Sequence, residues 1–123
     1  MPEFDYTASA QRTISLERDA VDSLLTRLGG NFNTACATLL DCTGRIVVTG
    51  MGKSGHIARK IAATLASTGS PALFVHPGEA RHGDMCMITR QDVVIALSNS
   101  GNTGEVVTLL PLIKRLGIQL VSI

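Results

Sequence analysis

Two loops in this chain of 123 residues concentrate the side chains that can bind or activate a small anion. The first, residues 47–60, has the sequence VVTGMGKSGHIARK and places Lys53 and Ser54 among glycines. The second, residues 96–106, has the sequence ALSNSGNTGEV and ends at the start of a predicted helix, next to Glu105. Backbone N–H groups at a helix start attract anions, hydroxyl groups donate to phosphate oxygens, and Ser54 can cap its helix. The two loops therefore predict a site for a phosphate monoester. The donors of the second loop are Ser98, Asn99, Ser100, Asn102 and Thr103, which surround Gly101.

The first loop contains parts of two nucleotide-binding motifs and fails the test of each. A phosphate-binding P-loop has the pattern G-x-x-x-x-G-K-[ST] and needs a glycine where this chain has Val47. The dinucleotide pattern G-x-G-x-x-G is present as Gly50, Gly52 and Gly55, but it also needs an acidic residue about twenty residues further on. The corresponding strand end carries His76 instead. We therefore expect no nucleotide cofactor, and a tight strand-to-helix turn explains the glycines.

A third polar segment, residues 76–84 with the sequence HPGEARHGD, lies between the two loops. Metal ligation, sugar contacts and acid–base work all stay open for His76 and His82, although their spacing is not a recognised zinc pattern. Glu105 either complements a helix dipole or, beside a bound sugar phosphate, removes a proton next to a carbonyl. His56 is expected to be a surface or packing residue.

Short apolar strand patterns alternate with longer helical patterns along the chain, which indicates parallel βαβ units. We predict an α/β protein, a three-layer αβα sandwich with a mostly parallel sheet, preceded by a helical arm that packs on it. Pro111 removes a backbone hydrogen bond from the last helix, so it either kinks that helix or marks its end. The predicted strands are residues 45–50, 72–75, 92–98 and 118–123, and the predicted helices are residues 8–28, 31–40, 54–69 and 104–117.

Composition argues against several other classes of protein. The formal charge is +1, no run of Lys and Arg exceeds two residues, and there is no Trp. We therefore expect no nucleic-acid partner. No apolar run approaches the ~20 residues that span a bilayer, and the N-terminus lacks the blocks of a secretory signal, so no membrane association is expected. The three cysteines lack C-x-x-C spacing, which favours reduced thiols in a cytoplasmic protein.

Residues 50–84, GMGKSGHIARKIAATLASTGSPALFVHPGEARHGD, and residues 92–106, DVVIALSNSGNTGEV, resemble the sugar isomerase (SIS) family. Within that family they are most similar to the D-arabinose 5-phosphate isomerases, over roughly residues 16–123. The resemblance implies aldose–ketose isomerisation between D-ribulose 5-phosphate and D-arabinose 5-phosphate through an enediol. This reaction leads toward the 3-deoxy-D-manno-octulosonate of lipopolysaccharide. It also implies a homo-oligomer, either a dimer or a tetramer, and no required cofactor.

The resemblance assigns roles to individual residues. It implies that Lys53 and Glu105 take part in catalysis. It implies that His76 contacts the substrate and can bind a zinc ion, which catalysis does not require. The other residues implied in substrate binding are Ser54, Gly69, Ser70, His82, Ser98, Asn99, Ser100, Gly101, Asn102, Thr103 and Thr108, of which the stretch 98–103 is expected to hold the phosphate.

Members of this family continue beyond the segment present here, with further sheet, a second catalytic glutamate and histidine, and usually a pair of CBS domains. We therefore expect residues 1–42 to form a helical arm and residues 43–123 to form a partial SIS domain that is inactive alone. One alternative is a non-catalytic SIS module that binds sugar phosphates, as in transcriptional regulators, although the arm is too short for a helix-turn-helix domain. A second is an isomerase of hexulose or heptulose phosphates, against which the segment HPGEARHGD argues.

Overall fold

The computed structural model describes residue 1, residues 3–80 and residues 83–123, with Asp84 described through its backbone. Within this part of the chain the backbone forms two compact units, Met1–Thr34 and Ala35–Ile123. The first unit contains helix α1 (Tyr6–Ser23) and a single 3-10 turn, Leu24–Thr26. The carboxylate of Asp5 accepts a hydrogen bond of 2.9 Å from the Ala8 N–H and so caps the first turn of α1.

The first unit carries a stripe of apolar residues at helical spacing, and this stripe is exposed. No residue of α1 is buried, and none is buried in α2 (Gly30–Leu40), within which the boundary between the units falls. Among the described helices, none is both long and apolar enough to cross a membrane. The exposed residues of the stripe are Ile14, Leu16, Val21, Leu24, Leu25 and Leu28.

The second unit is built on one parallel sheet, as predicted. Its strands lie in the order β2-β1-β3-β4, and every neighbouring pair is parallel. Each strand begins and ends within one residue of its predicted bounds. The strands are β1 (Ile46–Gly50), β2 (Ala72–Phe74), β3 (Val93–Leu97) and β4 (Gln119–Ser122), and the connecting helices are α3 (Gly52–Ser67), α4 (Pro77–Ala80), α5 (Gly104–Val107) and α6 (Leu110–Arg115).

Helices cover both faces of the sheet because both faces are apolar. Successive side chains of a strand point to opposite faces. Ile46 of β1 accordingly belongs to one core cluster with Ala58 of α3, whereas its neighbour Val47 belongs to a second cluster with Ile113 of α6. All five residues of β1 and of β3 are buried. The three-layer sandwich predicted from the alternating pattern is therefore confirmed.

The helix predicted at residues 104–117 is instead two short helices. Helix α5 ends at Val107, and α6 begins at Leu110 with Pro111 in its first turn. Pro111 has no N–H to donate to the carbonyl of Val107, so the proline interrupts the helix rather than kinking it. The apolar stripe of this segment still reaches the core, since Val106 and Leu109 are buried.

A buried carboxylate holds the segments that lead into β1 and β3. Asp92 is 3% exposed and accepts hydrogen bonds of 2.7 Å from the backbone N–H groups of Arg45 and Thr89. Burial by itself raises the pKa of Asp92. The hydrogen bonds from Thr89 and Arg45 and the charge of Arg45 outweigh burial and lower the pKa below the ordinary value of 3.8. Asp92 thereby ties together the entrances of the two strands whose far ends carry the predicted site.

Candidate functional site

The two predicted loops meet where the strand order of the sheet reverses. From β1 the chain passes through α3 to β2 on one side, whereas β3 pairs with the other side of β1. The connections that follow β1 and β3 lead to helices on opposite faces, the arrangement in which open α/β sheets bind ligands beyond the carboxyl ends of the strands. Gly50 is paired with Leu97, so the loops that begin at Met51 and Ser98 start side by side.

Glycines at the end of β1 allow α3 to begin almost in contact with the strand. Gly52 has a φ of 56°, in the left-handed region that favours glycine. A Cβ on Gly55 would lie 2.7 Å from the carbonyl oxygen of Gly50. Met51 is the N-cap and makes no side-chain hydrogen bond. Ser54, which is half-buried within α3, therefore does not cap this helix, and the tight strand-to-helix turn is the correct interpretation of the glycines.

The second loop, residues 98–103, is here called the serine loop, and it folds around its own hydroxyl groups. The Oγ of Ser98 accepts a hydrogen bond of 3.1 Å from the Gly101 N–H and lies 2.9 Å from the Oγ1 of Thr103. The Oγ of Ser100 accepts a hydrogen bond of 3.1 Å from the Asn102 N–H. A phosphate that binds here must take over donors that are now engaged within the loop. The exposed residues of the serine loop are Asn99, Ser100, Gly101 and Asn102.

The two residues expected to be catalytic are exposed on the first turns of two helices that follow these loops. Lys53 is in α3 and Glu105 is in α5. Neither side chain takes part in the ion pairs found in the described part of the chain. An ammonium group can stabilise an oxyanion, and a carboxylate can move a proton. The exposed Thr108 donates its hydroxyl hydrogen to the carbonyl of Glu105 at 2.9 Å, and α5 packs against α4.

His76 follows β2 and is half-buried, and a backbone amide holds its imidazole ring. The Gly78 N–H donates a hydrogen bond of 3.1 Å to the Nδ1 of His76. A ring nitrogen that accepts a hydrogen bond carries no proton, so the proton is on Nε2 and neither nitrogen offers a free lone pair to a metal. Among the described side chains, no group of three or more His, Cys, Asp or Glu residues could hold a metal ion. The zinc ion implied at His76 stays a prediction.

The structure adds Arg59 to the residues beside His76. His56, expected to be a surface or packing residue, is exposed and lines with Arg59 and His76 a cavity of ≈ 190 Å³ beyond the ends of β1 and β2. The guanidinium carbon of Arg59 lies 4.1 Å from the centroid of the Phe74 ring. The three-residue spacing of His56 and Arg59 already indicated a shared face of one helix. Only the position of β2 shows that this face borders the same cavity as His76.

Two predicted site residues lie at the opposite end of the sheet. Gly69 and Ser70 follow α3 and precede β2, so they lie at the amino ends of the strands. There they line a separate cavity of ≈ 170 Å³ together with Cys42. A helix between two parallel strands must carry the chain back to this end, so the structure does not bring Gly69 and Ser70 together with the serine loop. His82 lies outside the described residues.

Comparison with known proteins connects this geometry to one family. Residues 39–123 match the SIS domain. The chain is 71% identical, over 118 residues, to arabinose 5-phosphate isomerase KdsD of Pseudomonas aeruginosa, covering 96% of this chain and 36% of that protein. It is 52% identical, over 122 residues, to the protein of the same name from Escherichia coli O157:H7, covering 99% of this chain and 37% of that protein.

A solved structure shows the same fold. The structure of the protein c3406 from E. coli CFT073 in complex with arabinose 5-phosphate aligns with a TM-score of 0.81 and 39% sequence identity, covering 97% of this chain and 65% of that one. The chain spans 36–37% of the length of the two curated relatives. The likeness therefore concerns the segment that holds the two loops of the candidate site.

Proposed function

Because this chain belongs to the SIS family, we propose that the protein containing it interconverts D-ribulose 5-phosphate and D-arabinose 5-phosphate. The observation that carries this proposal is the pair of loops at the switch point, one rich in phosphate donors and the other presenting Lys53. The choice of sugar is supported by 71% identity to a P. aeruginosa protein named arabinose 5-phosphate isomerase. Its product would feed the synthesis of 3-deoxy-D-manno-octulosonate for lipopolysaccharide.

The serine loop is the proposed phosphate site. The hydroxyl groups of Ser98 and Thr103 lie 2.9 Å apart, and the amide of Gly101 points at the first of them. Phosphate oxygens can replace these internal acceptors because they are stronger acceptors than hydroxyl groups. Asn99, Ser100 and Asn102 are exposed and add further donors at the rim of the loop.

Glu105 is the proposed base, and Lys53 is the proposed electrostatic partner. The carboxylate removes a proton from C1 of the open-chain ribulose phosphate and returns a proton to C2, while the hydroxyl proton passes from O1 to O2. The intermediate enediolate carries its charge on oxygen, where an ammonium group stabilises it. Both side chains are exposed and belong to neither ion pair of the described chain, so each is available to a substrate.

We also propose that the protein is a cytoplasmic homo-oligomer without a nucleic-acid or membrane partner. The exposed apolar stripe of the first unit supports an interface, because a surface helix usually buries such a stripe. Cys36, Cys42 and Cys86 are free, which fits a reducing compartment. Residues 1–42 are the proposed arm, residues 43–123 the proposed partial SIS domain, and a CBS pair the proposed remainder of the protein.

An isomerase assay on the full-length protein tests the proposal. D-Ribulose 5-phosphate is supplied and the appearance of D-arabinose 5-phosphate is followed. Lys53→Ala and Glu105→Ala should each lower kcat by about 10²–10⁴-fold, the range for a lost electrostatic or acid–base group. Lys60→Ala, also exposed on α3, and Glu17→Ala, exposed on α1, are the matched controls. Full turnover in both site variants would exclude the assigned roles.

A non-catalytic module that binds sugar phosphates is distinguished by the same samples. Such a protein would be stabilised by D-arabinose 5-phosphate in a thermal unfolding experiment and would show no turnover. The 123-residue chain alone is expected to bind sugar phosphate through the serine loop and to lack turnover. Isomerase activity of the chain alone would contradict the expectation that it holds only part of the catalytic set.

A further inference from the structure

Two contacts hold the imidazole of His76. Its Nδ1 accepts the Gly78 N–H at 3.1 Å. Its ring stands edge-on to Phe74, with 6.5 Å between the ring centroids and an angle of 78° between the planes. The first contact selects which nitrogen carries the proton, and the second restrains the direction of the ring.

Helix α3 contacts Phe74 through the side chain of Arg59. The guanidinium carbon of Arg59 lies 4.1 Å from the centroid of the Phe74 ring, within the range of a cation–π contact. In the described part of the chain, neither ion pair uses Arg59, so its charge is not committed to a carboxylate there. Arg59, Phe74 and His76 thus form a continuous series of contacts from α3 to the segment that follows β2.

Glycines make room for this series. A Cβ on Gly78 would lie 3.1 Å from the Nδ1 and 3.2 Å from the Cε1 of His76. A side chain on residue 78 would therefore push the imidazole by a few tenths of an ångström from its place over that amide. A Cβ on Gly55 would lie 3.8 Å from the Cζ of Phe74, which shows how closely α3 approaches that ring.

We infer that Gly78 selects the tautomer of His76 and that Arg59 positions the imidazole through Phe74. The substrate contact of His76 is already implied by the family resemblance and rests on the proposed isomerase function, whereas the tautomer and the contacts within the chain do not. With Nδ1 engaged by the Gly78 N–H, Nε2 carries the proton and donates it in a hydrogen bond to an oxygen of the sugar, and this bond strengthens as charge develops on that oxygen. Gly78, Phe74 and Arg59 would be positioning residues, and His76 the residue that touches the substrate.

The tautomer is tested without substrate, by NMR of the ¹⁵N-labelled 123-residue chain. The chain has three histidines, and His76→Gln identifies the signals of residue 76. The expected result is a proton on Nε2, none on Nδ1, and a through-hydrogen-bond coupling between the Gly78 nitrogen and Nδ1. A proton on Nδ1, or rapid exchange between both tautomers without the coupling, would overturn the selected tautomer.

The positioning role is tested by kinetics on the full-length protein. Gly78→Ala keeps the amide and suits the helix but displaces the imidazole, so kcat should fall while the unfolding midpoint is maintained. Arg59→Met should lower kcat about 2- to 5-fold, the equivalent of one cation–π contact, and Arg59→Lys should restore part of the loss. Lys60→Met removes a neighbouring charge from α3 and should have no effect.

The two sets of results separate the inference from the proposed function. Unchanged kcat in both Gly78→Ala and Arg59→Met, with activity abolished in Glu105→Ala, would overturn the positioning role and leave the isomerase intact. If the full-length protein shows no turnover of D-ribulose 5-phosphate, the proposed function fails, and with it the donation to a sugar oxygen. The NMR result then still decides whether Gly78 selects the tautomer.

Discussion

Replacing Asp92 by asparagine tests whether one buried carboxylate holds the two strands beneath the site. The two carboxylate oxygens accept different backbone amides, Arg45 N–H on Oδ1 and Thr89 N–H on Oδ2, each at 2.7 Å. An asparagine offers one oxygen and one NH₂ group. One of the two part-buried N–H groups therefore loses its acceptor and faces a donor.

The cost follows from these contacts. A buried donor without an acceptor costs about 1–3 kcal/mol, and the loss of charge from the remaining hydrogen bond costs roughly 1 kcal/mol more. We expect Asp92→Asn to lower the free energy of unfolding by about 2–4 kcal/mol. The exposed Asp41, changed to asparagine as a matched control, should stay within about 0.5 kcal/mol of the parent.

The dependence of the free energy of unfolding on pH gives a second, independent test of this role of Asp92. Because the pKa of Asp92 is lower in the folded chain than its ordinary value of 3.8, the ionised form stabilises the fold. This contribution is complete above about pH 5 and is lost as the pH falls below 3.8 through the folded-state pKa. Asp92→Asn has no such contribution, so its deficit relative to the parent should shrink in acid.

Urea unfolding followed by circular dichroism between about pH 3 and pH 7 measures both quantities, on the parent, Asp92→Asn and Asp41→Asn. The reasoning would be refuted if Asp92→Asn were no less stable than Asp41→Asn at neutral pH. It would also be refuted if the deficit were as large at the acid end of the range as at neutral pH. A change in the slope with urea would show instead that the unfolding transition itself had changed.

Three further predictions concern the site and the arm. Gly55→Ala should lower the free energy of unfolding in urea by about 1–3 kcal/mol, because its Cβ would lie 2.7 Å from the Gly50 carbonyl oxygen. The control Gly104→Ala, whose Cβ would have no atom within 4 Å, should cost less than about 0.5 kcal/mol. Equal effects of the two substitutions would contradict the close approach of α3 to β1. Ser98→Ala should raise the KM for sugar phosphate about 10-fold, because one hydrogen bond to a charged group is lost. Ser70→Ala should leave this KM unchanged. A raised KM in Ser70→Ala would mean that residue 70 reaches the site from another copy of the chain. Leu25→Glu places a charge on the exposed stripe of the arm and should reduce the molar mass measured by size-exclusion chromatography with light scattering. Arg18→Glu is the control. An unchanged molar mass in Leu25→Glu would exclude this stripe from the oligomer interface.

The order of elements and the place of the site follow from local patterns in the sequence. The runs that contain Val47 and Val94 are apolar on both faces, which only a strand covered on both sides accommodates, and helical patterns separate them. Since ligands bind beyond the carboxyl ends of such strands, the loops at Lys53 and Ser98 could be assigned to one crevice from residue order alone. Residue types were sufficient for this assignment because strand direction and helix polarity are the same in every βαβ unit.

The residue-by-residue assignments implied by the resemblance depend on which end of an element a residue occupies. Gly69 and Ser70 lie at the amino ends of the strands, since α3 returns the chain there before β2 begins. The break between α5 and α6 lies at residues 108–109, ahead of Pro111, and the sequence predicted it only as a choice between a kink and an end. Pro111 cannot donate to the carbonyl of Val107, where α5 ends, while Val106 and Leu109 stay buried.

The sequence by itself determined a parallel α/β domain with two donor-rich loops at adjacent strand ends, because those properties depend on short-range periodicity and on the polarity of strands and helices. The tertiary structure alone decided that Arg59 joins the group around His76. The amide of Gly78 and the ring of Phe74 are each only two residues from His76, whereas Arg59 reaches Phe74 from another element. Arg59 and Phe74 are fifteen residues apart in the chain and meet only because α3 folds back over β2. No local pattern encodes that contact.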